Sequence, residues 1–146
     1  MSEINHTIFA ELPGEYSISR VISDGTVFNG SASFTLLKPD TLDYAEKGQS
    51  TLPSGAIIDS YRDFQYRFEN DLIEMLFKDS HRYFEKYVTL NFTPQPECFY
   101  AADTHLCGKD TYKHSMFWHG KNKFETKTEI SGPEKDMLIS SIYERC

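Results

Sequence analysis

Hydrophobic and polar residues alternate along most of this chain, and the alternation predicts strands. Tyr16, Ile18, Arg20 and Ile22 share one face of a first strand, and Asp24-Gly25 is a hairpin signal. Phe28, Gly30, Ala32, Phe34 and Leu36 share a face on the next, before Lys38-Pro39-Asp40 breaks the run. Leu42, Tyr44 and Glu46 follow, and residues 48–55 read as a longer loop by composition. Ile58, Ser60, Arg62, Phe64, Tyr66 and Phe68 then share a face up to a turn at Asn70-Asp71. Residues 72–78 and 81–90 form a candidate hairpin across Asp79-Ser80, and Pro94 and Pro96 mark a loop. A long hairpin over 98–118, a turn at Gly120-Lys121-Asn122, and two strands separated by Gly132-Pro133 complete the chain.

Two segments depart from the two-residue period. Ile4, Ile8 and Leu12 recur every four residues, which predicts a short helix capped by Asn5 or Thr7 and ended by Pro13-Gly14. Phe64, Phe68, Leu72 and Leu76 share that spacing, so a helix over 63–78 rivals the strand reading there. The remaining segments are short, evenly spaced and separated by turn signals. The expected fold is a single all-β domain over 1–146: an antiparallel up-and-down barrel of eight to ten strands, with a short N-terminal helix plugging one end.

The 146 residues suffice for a real core, and 9 Tyr and 11 Phe suit a pleated sheet. A net charge of -7 without basic clusters argues against nucleic acid as a partner. The N-terminus lacks the basic and apolar regions of a signal peptide, and no apolar run reaches membrane-spanning length. Three cysteines (Cys98, Cys107, Cys146) do not make a disulfide framework, so a reducing, cytoplasmic location is expected. The sequence says nothing about oligomeric state.

Chemically capable groups concentrate in His105-Leu106-Cys107-Gly108-Lys109-Asp110-Thr111-Tyr112. A two-residue turn at Gly108-Lys109 sets Cys107 opposite Asp110 and His105 opposite Tyr112, all on one face. An imidazole, a thiol, a carboxylate and a phenol then lie close together. His105 is the candidate general acid or base, assisted by Asp110 or Tyr112, with Cys107 the candidate nucleophile. The same face carries Met116 and Trp118 and is expected to point inward, with Cys107 in the core. His-x-Cys supplies two zinc ligands, short of the three or four a site needs, so zinc is not expected.

Charged residues on apolar faces form a second candidate site. Arg20, Glu46 and Arg62 all point into the expected lumen, where an unpaired charge is costly. Glu46 is therefore expected to pair with Arg20 or Arg62, leaving one cation to receive a carboxylate or phosphate.

Several motifs carry a resemblance. Gly14-x-Tyr16 is similar to the G-x-W opening of lipocalin-like (calycin) barrels, and Tyr143-x-Arg145 offers the arginine that packs over that ring. Gly30-x-Ala32-x-Phe34, Tyr44-x-Glu46, Arg62-x-Phe64-x-Tyr66, His105-x-Cys107-x-x-Asp110-x-Tyr112 and Gly132-Pro133-x-Lys135-Asp136 complete a set that resembles the domain of unknown function 6314 family. Thr128 stands where many members carry Trp. The resemblance implies a lipocalin-like barrel and brings no activity with it. Some calycin barrels bind haem through a histidine, and His81, His105, His114 and His119 are eligible. No sequence feature selects one, so haem is not expected.

The expected function is small-molecule binding inside the barrel, the ligand being a flat or amphipathic organic anion such as a fatty acid, tetrapyrrole or aromatic metabolite. The expected lining comprises Tyr16, Arg20, Tyr44, Glu46, Arg62, Tyr66, His105, Tyr112, Trp118, Lys135 and Arg145. The alternatives are a small hydrolase, isomerase or lyase using His105, and a protein-interaction module whose barrel is filled.

Overall fold

A computed structural model describes residues 3–79 and 81–146. One helix, α1 (Glu3–Glu11), precedes eleven strands: β1 (Gly14–Ile22), β2 (Val27–Lys38), β3 (Thr41–Thr51), β4 (Ile57–Glu69), β5 (Leu72–Phe77), β6 (Lys86–Leu90), β7 (Thr93–Pro94), β8 (Phe99–Cys107), β9 (Asp110–Trp118), β10 (Lys123–Ser131) and β11 (Asp136–Arg145). They form a single antiparallel sheet in the order β6-β5-β4-β3-β2-β1-β11-β10-β9-β8-β7. Sequence neighbours pair except β6 and β7, which lie at opposite ends of the sheet, and β1 also joins β11. The sheet curls until its ends meet. There the seam between β6 and β8 is bridged by the Asp103 carboxylate, which accepts a hydrogen bond from the Thr89 amide at 2.8 Å.

The turn chemistry explains the registers. Asn70 and Asp71 both take positive φ (53° and 64°), the geometry of a tight two-residue hairpin, and Glu69 pairs with Leu72 across it. Gly108 takes φ 62°, so Cys107 pairs with Asp110 and His105 with Tyr112 as the sequence predicts. The hairpin of β4 and β5 rules out a helix over 63–78. There the inward residues Phe64, Tyr66, Ile73 and Met75 pack in a core that only the two-residue period can reach.

Three expectations are corrected. The strand count is eleven rather than eight to ten, because the two-residue β7 falls where Pro94 and Pro96 predict a loop. Gly48 lies inside β3, directly opposite Gly30, and the loop shrinks to residues 52–56. A Cβ on Gly30 would run into the Lys47 carbonyl, and one on Gly48 into that of Asn29, so paired glycines let β2 and β3 approach where the sheet bends. Asn5 is not the helix cap. It is wholly buried within α1, donates to the Asp71 carbonyl (2.8 Å) and Asn91 Oδ1 (3.0 Å), and accepts from the Phe92 amide (2.8 Å). This amide fastens the helix over one barrel end.

That end is solid. Tyr16, Phe34, Phe124, Tyr143 and Trp118 pack edge-on or stacked, with Phe124 parallel to Tyr143 at 4.3 Å between centroids. The other end stays open, because the first half of β4 projects beyond the packed region and is exposed from Ile57 to Asp63 apart from the half-buried Ser60.

Candidate functional site

The open end holds a cavity of about 390 Å³. Strand alternation delivers its walls. Phe64 comes from β4, Phe77 from β5, Tyr87 from β6, His105 and Cys107 from β8, Tyr112 from β9, Thr128 and Ile130 from β10, and Ile139 from β11. Arg62, Lys78, Asp79 and Arg82 form its rim. The His105 ring sits edge-on to Phe77 (5.3 Å), Tyr87 (5.4 Å) and Tyr112 (6.4 Å).

The charges around the cavity are not equivalent. Lys78 pairs with Asp43 at 3.1 Å, and Arg82 pairs with Asp79 at 2.6 Å while stacking 3.8 Å over Phe77. Arg62 lies 4.8 Å over the Phe64 ring, and no acid pairs with it among the described residues. Arg62 is the cation with unspent hydrogen-bonding capacity.

The reason lies one layer deeper. Arg20 takes Glu46 bidentately, at 2.5 and 3.0 Å, and its remaining donors go to Ser141 Oγ (2.7 Å) and the Tyr143 hydroxyl (3.2 Å). Tyr44 donates to Glu46 and meets the Tyr143 hydroxyl at 2.9 Å. Every member of this network is buried. Burial opposes the Glu46 charge, but the hydrogen bond and charge of Arg20, aided by Arg62 and Tyr44, outweigh it and hold its pKa below the ordinary value. Burial, reinforced by Tyr143 and the Glu46 charge, drives Tyr44 and Tyr66 well above the usual phenol range, so both are neutral.

Between network and cavity lies a chamber of about 20 Å³, bordered by Arg20, Arg62, His114, Thr126, Thr128 and Ser141 among others. His114 is 3% exposed. Its Nδ1 meets Thr128 Oγ1 at 3.0 Å, while Nε2 has no partner among the described residues. Burial, reinforced by the charges of Arg62 and Arg20, lowers its pKa to about 3, so the ring is neutral.

The expected site residues therefore divide. Arg62, His105, Cys107 and Tyr112 line the cavity. Arg20, Tyr44, Glu46 and Tyr66 lie beneath it, the first two and Tyr66 bordering the chamber. Tyr16, Trp118, Lys135 and Arg145 lie elsewhere. Tyr16 and Trp118 belong to the solid end, because their strand positions fall below the network. Arg145 lies 4.7 Å over Tyr16, donates to its hydroxyl (2.6 Å) and binds the carbonyls of Glu11 (2.5 Å), Pro13 (2.8 Å) and Lys121 (2.6 Å). It locks the closed end. Lys135 faces Asp110 at 3.8 Å at the tip of the β8–β9 hairpin, outside the cavity.

That pairing also takes Asp110 from the catalytic quartet. Asp110 packs against Gly132 and Lys135, and no hydrogen bond orients the His105 ring among the described residues. Cys107 is exposed at the mouth rather than buried in the core, since the hairpin tip extends past the packed layer. The four groups share a face without forming a relay. Among the described residues, no three His, Cys, Asp or Glu side chains gather as metal ligands, and no helix is long and apolar enough to cross a membrane.

Phe77 and Tyr87 are absent from the expected lining, as are Thr128, singled out only as a departure from the family pattern, and His114, singled out only as a haem-eligible histidine. The parity of β9 places His114 with Tyr112 and Met116, a signal that was available. Nothing in the sequence brings β6 across the barrel to β8.

Solved structures share this fold. Rv2717c from M. tuberculosis superposes with TM-score 0.66 at 9% identity over 97% of each chain. The S-type phycobiliprotein lyase CPES from Guillardia theta gives TM-score 0.57 at 12% identity, covering 97% of this chain and 92% of the lyase. The barrel EF1p2_mFAP2b bound to DFHBI gives 0.52 at 13%, covering 94% and 96%. No curated protein matches the sequence. The match that places the chain runs over residues 12–145, and by it the protein belongs to the family of unknown function DUF6314.

Proposed function

We propose that the cavity binds a small organic anion with a flat aromatic body. The observation that carries this reading is Arg62, a guanidinium without an acid partner among the described residues, at the rim of an aromatic-walled cavity. A volume of about 390 Å³ falls in the range of small-molecule sites. It does not suit the alternative of a filled barrel. Phe64, Phe77 and Tyr87 supply faces and edges for a ring, and Arg62 supplies two parallel donors for a carboxylate. Among barrels of this fold, EF1p2_mFAP2b is one that holds a small molecule, DFHBI. The three cysteines are free, which suits a reducing compartment, and the cytoplasm is the proposed location.

Isothermal titration with 2-naphthoate and its neutral counterpart 2-naphthamide tests the reading. The acid is expected to bind more tightly, and Arg62→Gln to cost it roughly tenfold or more while leaving the amide unchanged. Equal affinities for acid and amide, or an acid indifferent to Arg62→Gln, would overturn it.

A further inference from the structure

We propose that the chamber beneath the cavity is a subsite for a hydroxyl group, which donates a hydrogen bond to His114 Nε2, so that the preferred ligand is a hydroxylated aromatic carboxylic acid. The inference rests on the anion-binding reading and names the second polar group of that ligand.

The argument starts from an orphan. His114 is 3% exposed, and its Nε2 is a buried polar atom without a partner among the described residues, a condition that normally costs free energy comparable to a lost hydrogen bond. The ring is fixed from the other side by Thr128 at 3.0 Å, so Nε2 cannot turn away. The His114 ring borders the chamber, and the chamber adjoins the cavity through Arg62 and Thr128, which line both. A volume of about 20 Å³ accepts one oxygen atom and excludes a ring.

The direction of the bond follows from the neighbouring charges. The guanidinium groups of Arg20 and Arg62 border the same chamber as the imidazole and act on it, and beside two cations a ring nitrogen turned to the chamber is favoured as a lone pair. Nδ1–H then donates to Thr128 Oγ1, and Nε2 is an acceptor. An acceptor at the floor selects a hydroxyl over a carbonyl or ether. Arg62 meanwhile takes the carboxylate above, so the two groups are read by different residues.

Titration of the wild-type protein with 2-naphthoate, 3-hydroxy-2-naphthoate and 6-hydroxy-2-naphthoate tests this, the two isomers placing the hydroxyl near and far from the carboxylate. At least one hydroxy acid is expected to bind roughly tenfold tighter than 2-naphthoate, with its methoxy counterpart losing the gain. His114→Leu is expected to abolish the gain and leave 2-naphthoate itself unchanged. His114→Gln, which keeps a polar group at the Nε2 position, is expected to restore part of it. Binding of all three acids with equal affinity, as when the chamber holds only water, overturns the hydroxyl subsite and leaves the anion reading standing. A hydroxyl gain that survives His114→Leu also overturns it. Failure of every acid to bind overturns both readings.

Discussion

Arg20 grips Glu46 through two hydrogen bonds in the middle of the barrel, and by doing so leaves Arg62 without an acid among the described residues. The two arginines come from β1 and β4, on either side of the glutamate in β3, and each is a sterically available partner. Arg20 has further acceptors on β11, Ser141 and Tyr143, and these fix its fork toward Glu46. Arg62 instead lies over Phe64 at the solvent side.

Removing one partner of the Arg20–Glu46 pair strands a buried charge. Glu46→Gln and Arg20→Met are each expected to lower unfolding stability by about 3–5 kcal/mol, read from urea denaturation midpoints at constant slope. The double variant Arg20→Met/Glu46→Leu is expected to recover much of that loss. A double variant as unstable as the sum of the singles would show that the pair stabilises the fold by more than mutual neutralisation.

His114 gives the fold an acid sensitivity at mild pH. The unfolded imidazole binds its proton near pH 6.5, whereas the buried ring does so only near 3. Between those values the unfolded state holds the extra proton, so stability falls as pH drops below 6.5 and stops falling on this account below about 3. The slope contributed approaches about 1.4 kcal/mol per pH unit. His114→Leu is expected to flatten the stability profile between pH 6 and 5, measured by denaturation at each pH. Glu46, whose pKa is depressed below the ordinary glutamate value, adds its own loss only at lower pH.

Arg145 joins the last strand to the helix end through the Glu11 and Pro13 carbonyls and the Tyr16 hydroxyl. Arg145→Leu leaves these buried or half-buried acceptors short of a donor. A loss of about 2–3 kcal/mol is expected. Hydrogen exchange is expected to accelerate in α1 and the start of β1 but not in β5 or β6. Uniform acceleration across the sheet would contradict a local lock.

Cys107 is exposed and lines the cavity mouth, whereas Cys146 is exposed far from it at the chain end. A ligand in the cavity is expected to slow maleimide labelling of Cys107 several-fold and leave Cys146 unaffected, followed by peptide mass spectrometry. Equal protection of both thiols would place the ligand elsewhere.

The sequence by itself determined the strands, most of their turns and the facing pairs. Alternation needs no partner to be read, and Asp24-Gly25, Asn70-Asp71 and Gly108-Lys109 carry their backbone preferences locally. It also set Arg20, Glu46 and Arg62 on the faces expected to line the barrel, with two cations for one carboxylate. Which cation takes it was decided by the tertiary structure, because Ser141 and Tyr143 reach Arg20 only once β11 pairs with β1. Depth along the barrel was likewise a tertiary matter. Alternation gives the face of a residue, not its height, so Tyr16, Trp118 and Arg145 could not be told from cavity residues until α1 closed one end. The cavity exists because β6 meets β8 across the seam and sets Phe77 and Tyr87 against His105. That contact joins residues distant in the chain, and no local pattern encodes it.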